Sequence, residues 1–160
     1  MIDATSRKIL DALQNNARIT NVELAAQVGL SASPCLRRVR ELEKSGVIRG
    51  YATLLDPARA GMPVSVFVNV TLERQTEGAL EDFESAVRQW PEVMECYLMT
   101  GDSDYLLRVV ASDIDAYQRF VLDRLTHIPS VASIKSSFAL RQVKYGTALP
   151  LSETATEPGY

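Results

Sequence analysis

From Val64 to Leu72 apolar and polar residues alternate almost without fault. Val64, Val66, Val68, Val70 and Leu72 fall on one side, with Ser65, Phe67, Asn69 and Thr71 on the other. A sustained period of two predicts a strand with one buried face. The period then changes: Leu80, Phe83, Val87 and Trp90 recur at helical spacing, and Pro91 stops the run. The segments "EVMECYLMT" and "YLLRVVAS" read as two further strands, separated by Gly101-Asp102-Ser103-Asp104. A second helix follows, capped by Asp113, with Ile114, Tyr117, Val121 and Leu125 on one face and Pro129 beyond its end. A last strand is expected over about 131–140. The order β-α-β-β-α-β predicts a ferredoxin-like split βαβ domain, with both helices on one face of an antiparallel sheet. Its other face stays open. It carries Ser65, Phe67, Asn69 and Thr71 on the first strand, and either Glu95, Tyr97 and Met99 or the opposite set on the second. A half-apolar open face predicts a homodimer.

The first fifty residues carry helical periods instead. Asp3 is placed to cap a helix reaching about Asn15, with Ile9, Leu10 and Leu13 on its apolar face. Thr20-Asn21-Val22-Glu23 fits a capping box, and the short helix behind it presents Leu24, Ala25 and Val28 before Gly29. Ser31 or Ser33 opens a third helix, in which Pro34 is tolerated because it falls in the first turn. Leu36, Val39 and Leu42 form its expected inner seam, so Arg37, Arg38, Arg40 and Glu41 are expected to point outward. Two short helices joined by a glycine turn have the form of a helix-turn-helix, whose second helix enters the DNA major groove. The segment "VIRGYATLLD" reads as a small β-wing turning at Arg49-Gly50. An exposed charged helix is also compatible with simple solvation, since Arg37–Glu41 and Arg40–Glu43 are spaced for weak helical ion pairs.

Charge separates the two readings. Residues 1–50 carry eight basic and five acidic side chains, whereas the remainder carries nine basic and fifteen acidic, although the chain's net charge is only −3. Nucleic-acid binding needs a local basic face rather than a basic protein. Two cysteines are too few for a disulfide framework or a cysteine-rich zinc site, and Cys35 reads as a small packed residue. "MIDATSRKIL" lacks the apolar core of a signal peptide, and no apolar run is long enough to span a bilayer. A reduced, cytoplasmic chain without a membrane partner is expected.

Asp102 and Asp104 invite three readings: a catalytic pair, a cation site or a polar turn. An EF-hand loop counted from Asp102 needs glycine and glutamate where Leu107 and Asp113 stand. The only histidine, His127, lies near a helix end, so zinc or iron lacks ligands. No phosphate loop, nucleophile elbow or Cys–His pairing occurs, and no enzyme activity, metal or cofactor is expected. Taken alone, "GDSD" is a hairpin turn.

The two motifs together resemble the Lrp/AsnC family of bacterial and archaeal regulators over about residues 2–149. "RITNVELAAQVGLSASPCLRRVRELEKSGVIRGYATLLD" is similar to the family's winged helix-turn-helix, and "VMECYLMTGDSDYLL" to its strand–turn–strand signature. The resemblance implies an amino-acid-responsive transcriptional regulator that forms a dimer through its C-terminal sheets and often assembles into an octamer. It implies an effector site of Met99, Thr100, Gly101, Asp102, Ser103 and Asp104, joined by Ser136 and Ser137 of the last strand. On double-stranded DNA it places Ser31, Ser33, Pro34, Arg37 and Arg38, with Arg40 added by the helical pattern. The family commonly has an acidic residue where Ser6 stands. The expected fold is α+β: a winged helix-turn-helix over 1–50, a wing and linker over 51–63, a βαββαβ sensing and oligomerisation domain over 64–149, and a loose tail over 150–160. An amino-acid sensor that does not bind DNA is the alternative.

Overall fold

The computed structural model describes residues 2–151. Backbone contacts divide the described residues into one unit formed by 2–53 together with 143–151, and a second unit, Leu54–Gln142.

The first unit holds three helices: α1 (Ala4–Asn15), α2 (Asn21–Val28) and α3 (Ala32–Lys44). Each start follows from a polar residue in extended conformation. Asp3 accepts the Ser6 N–H at 2.7 Å. Thr20 and Glu23 complete the capping box, with the Glu23 N–H on Thr20 Oγ1 at 3.2 Å and the Thr20 N–H on Glu23 Oε2 at 3.0 Å. Gly29 ends α2 at φ 74°, a left-handed conformation that side chains with a Cβ disfavour, and so turns the chain into α3. Ser31 is the residue that precedes α3, and its side chain makes no capping bond.

The core of this unit is Ile9, Leu10, Ala12, Leu24, Ala25, Val28, Cys35 and Leu42. One expectation needs correction here. Leu36 is 38% exposed, whereas Cys35 is fully buried, so the inner stripe of α3 runs Cys35–Val39–Leu42. A second correction concerns the wing: residues 47–56 form no strand. A lone two-stranded ribbon is marginal in water, and here Tyr51, Leu54 and Leu55 remain exposed instead of packing.

Residues 143–149, which the sequence assigns to the sensing domain, group with the first unit. The Gln14 side chain clamps this returning segment: its Nε2 donates to the Leu149 carbonyl at 3.1 Å, and its Oε1 accepts the Leu149 N–H at 2.6 Å. Leu151 packs against the helical core. From Ser152 onward the expected loose tail lies outside the described residues.

The second unit follows the order β1 (Val64–Leu72), α4 (Glu77–Val87), β2 (Val93–Leu98), β3 (Tyr105–Ala111), α5 (Ile114–Asp123), a 3-10 turn (Leu125–His127) and β4 (Val131–Phe138). The sheet order is β2-β3-β1-β4, and every neighbouring pair is antiparallel. This is the ferredoxin-like arrangement that the alternation predicts. Val66, Val68 and Val70 of β1 and Tyr105, Leu107 and Val109 of β3 are buried together with Phe83, Tyr117 and Phe120 of the two helices.

Two helical expectations shift by a turn. Helix α4 ends at Val87, and Trp90 packs beyond it, edge-on to Phe120 at 5.5 Å. Ile114 opens α5 but is 64% exposed; Tyr117 and Phe120 carry the buried face instead. Register settles the open face. Phe67 stands opposite Arg108 and Ser137, while Glu95 and Tyr97 stand opposite Arg108 and Leu106. The open face therefore holds Glu95 and Tyr97 on β2, tied across by Arg108 Nε to Glu95 Oε1 at 3.0 Å.

Candidate nucleic-acid interface and effector site

Helix α3 is set against α2 by Asn21, whose Nδ2 donates to the Ala32 carbonyl at 2.8 Å. Ser31, Ala32 and Ser33 lie exposed at its start, and Pro34 is half-buried in the first turn. Small residues there permit close approach to a groove wall, and the helix N-terminus favours an anion. Arg37 projects into solvent with 75% of its side chain exposed, 3.8 Å from Glu41. Arg40 is also exposed. Arg38 departs from the outward placement that the sequence suggests. Its Nη1 lies 2.7 Å from Asp3 Oδ2 and 3.3 Å from Ser6 Oγ, so it is drawn back onto the start of α1. Asp3 is held well below the ordinary carboxylate range, at about 2, first by the Ser6 N–H and then by the Arg38 guanidinium.

The second cluster lies at the β2–β3 turn. Leu98 and Tyr105 form the last strand pair, and the Met99 N–H donates to the Asp104 carbonyl at 2.8 Å to close the tip. Gly101 takes φ 126°, which a side chain would strain. Met99, Thr100, Gly101 and Asp102 are exposed and Ser103 partly so. Exposed backbone donors in such a turn can hold a carboxylate, and an exposed aspartate can pair with an ammonium group.

Asp104 has a different situation from Asp102. It is only 6% exposed. Its Oδ2 accepts the Leu72 N–H at 2.6 Å, and Gln75 Nε2 donates to Oδ1. Leu72 sits where the β1–β4 register slips, and Asp104 takes up a donor there. The Asp104 N–H in turn donates to the Val70 carbonyl at 3.0 Å, and Ser103 Oγ to Asn69 Oδ1 at 3.0 Å. The tip is thus anchored to β1 from beneath, while Asp102 is exposed.

The fold brings Met99–Asp104 together but leaves Ser136 and Ser137 apart from them. These serines pair with Val68 and Phe67 and take opposite faces of β4: the Ser136 hydroxyl hydrogen-bonds Tyr117 under the sheet, and Ser137 lies on the open face. From Asp104 to the level of Phe67 is roughly 13 Å along a strand, with β1 also intervening.

Among the described residues no group of His, Cys, Asp and Glu is arranged to hold a metal ion, and no helix is long and apolar enough to cross a membrane.

Two family models match the chain. A winged helix-turn-helix DNA-binding model covers residues 2–49, and an Lrp/AsnC ligand-binding domain model covers 65–149. The chain belongs to the Lrp/AsnC family. Its relatives include the Bkd operon transcriptional regulator of Pseudomonas aeruginosa, 49% identical across 94% of this chain and 98% of that one. The leucine-responsive regulatory protein of Escherichia coli is 40% identical, covering 92% and 90% of the two chains. Among solved structures, a Neisseria meningitidis transcriptional regulator in complex with L-Met superimposes with a TM-score of 0.89 at 45% identity, covering 94% and 97%. This Lrp/AsnC chain is therefore a transcriptional regulator with a DNA-binding and a ligand-binding module, and the family is one of regulators rather than enzymes.

Proposed function

We propose that this Lrp/AsnC protein is a cytoplasmic regulator that binds double-stranded DNA through α3 and responds to a free amino acid at the β2–β3 tip, without catalytic turnover. The observation that carries the reading is the division of the tip aspartates. Asp104 spends its carboxylate on Leu72 and Gln75, which fixes the loop, while Asp102 stays exposed beside the Gly101 turn. Such a site suits a zwitterion: turn N–H groups for the carboxylate, Asp102 for the ammonium. Relatives named as leucine-responsive, and one solved with L-Met, support an amino acid with an apolar side chain.

On DNA, Ser31, Ser33, Arg37 and Arg40 are the exposed contacts of α3, with Pro34 shaping its first turn and Arg38 held from behind. The chain acts as a homodimer joined through its open sheet faces, and dimers associate further, up to an octamer. Phe67, Tyr97 and Leu106 on that face, and the exposed Tyr51, Leu54 and Leu55, support self-association. The separation of Ser136 and Ser137 from the tip supports a site completed between copies. An effector binding there favours some arrangements of the assembly over others and so changes DNA affinity.

A thermal-shift screen of the twenty amino acids tests this reading, because a ligand specific to the folded state raises its melting temperature. A rise with methionine or leucine, lost in Asp102→Ala, is the expected result. No shift with any amino acid would remove the effector assignment.

A further inference from the structure

Arg38 lies within the stretch of α3 assigned above to DNA contact, yet its hydrogen bonds run inward through a single nitrogen, Nη1, to Asp3 and Ser6. A guanidinium carries five donors in a rigid fork, so engaging one nitrogen fixes the plane while the remaining donors can still be offered elsewhere. Asp3 is itself fixed, because its other oxygen, Oδ1, accepts the Ser6 N–H and caps α1. One carboxylate therefore joins the start of α1 to α3 across 35 positions of sequence. With 32% of the Arg38 side chain and 54% of the Asp3 side chain exposed, such a pair adds little to folding stability. Its consequence is geometric.

We propose that Asp3 is a positioning residue for DNA binding: through Oδ2 it holds the Arg38 guanidinium and the face of α3 in the arrangement that meets the duplex. The proposal rests on the reading that α3 is the DNA-contacting helix. It makes a prediction opposite in sign to general electrostatics. Removing a carboxylate from a DNA-binding unit strengthens attraction to a polyanion, and adding one weakens it. If Asp3 positions Arg38, removing its charge instead weakens binding. Restoring a carboxylate from the neighbouring Ser6 position, already 3.3 Å from Nη1, recovers binding although the charge becomes more negative again.

The experiment uses the full chain and a labelled duplex that the wild-type protein selects from a random-sequence pool, with affinity read by fluorescence anisotropy at fixed salt. Asp3→Asn keeps a good helix cap while deleting the ion pair. Its affinity should fall about fivefold, and Asp3→Asn/Ser6→Asp should return to about wild type. Asp11→Asn makes the same charge change on an exposed part of α1 and should bind as well as wild type or slightly better. Melting temperatures confirm that each variant is folded. Should Ser6→Asp prevent folding, Asp3→Glu supplies the carboxylate arm and must bind like wild type. Equal or tighter binding by Asp3→Asn overturns the positioning role, as does failure of the carboxylate arm to restore affinity. A wild-type protein that selects no duplex removes the underlying reading of α3, which is a distinct result.

Discussion

Two regions of this Lrp/AsnC protein present the same local puzzle in opposite charge. In α3, Arg37 and Arg38 stand side by side; at the β2–β3 tip, Asp102 and Asp104 are separated by one serine. In each region the fold turns one charge out and one in. Arg37 and Asp102 face solvent, whereas Arg38 reaches Asp3 and Asp104 reaches Leu72 and Gln75. The inward partners differ in kind. Arg38 meets an opposite charge at a half-wet surface, where a pair contributes little to stability. Asp104 is nearly buried among neutral donors that close the end of a strand. Inward arginine and inward aspartate should therefore fail in different ways.

The largest effect expected is on the buried side of the tip. Asp104→Ala leaves the Leu72 N–H and the Gln75 amide without their acceptor and should destabilise the fold by about 2–3 kcal/mol, read as a lower urea midpoint at unchanged slope. Loss of effector binding would then follow from a loosened loop. A midpoint within about 0.5 kcal/mol of wild type would show that Asp104 has no anchoring role. Asp102→Ala tests the other half. Its stability should stay within that margin, while amino-acid affinity measured by calorimetry falls roughly 10- to 100-fold, the range of a lost charge-assisted hydrogen bond. Undiminished affinity would move the ammonium partner elsewhere.

The legibility of these features in sequence follows distance along the chain. The alternation of Val64–Leu72, the Thr20–Glu23 capping box and the Gly29 stop are local, and the structure realises each of them. The α3 seam is less legible because its buried members include a cysteine and its wet edge a leucine. Leu36, Val39 and Leu42 form an attractive repeat, but a period of 3.6 turns Cys35 inward and leaves Leu36 at the rim. The wing misleads for another reason: strand-like residues need a partner strand, and none within the described chain pairs with 47–56. The partners of Asp104 and Arg38 lie about thirty positions away in sequence. No local pattern reports them. The returning clamp of Gln14 on Leu149, 135 positions apart, is the extreme case.

The outward arginine gives a smaller effect. Arg37→Ala removes a side chain that, among the described residues, forms only a loose ion pair with Glu41, so melting temperature should not change. If Arg37 touches a phosphate, affinity falls about equally for selected and unselected duplexes, and the slope of log K against log salt drops by about 0.9. A loss confined to the selected duplex would assign Arg37 to a base edge instead.

The smallest effect is the pH response of the Asp3 pair. Asp3 is held at about 2 against an ordinary 3.8, first by the Ser6 N–H, then by Arg38 and the Ser6 hydroxyl. A depressed carboxylate means that the folded state prefers the ionised form. Its stabilisation is complete above the unfolded value near 4 and fades as pH falls through that window towards 2. Glu23 and Asp113 are also depressed, chiefly by the N–H groups of Thr20 and Ala116, so the wild-type curve falls for several reasons of the same sign. Asp3→Asn should remove only its own share, leaving a shallower fall in melting temperature between about pH 4 and 2. More than half of the Asp3 side chain is wet, so solvent screening keeps that share small. Superimposable curves would mean that Asp3 is not depressed, and the ion pair that draws Arg38 inward would lose its electrostatic basis.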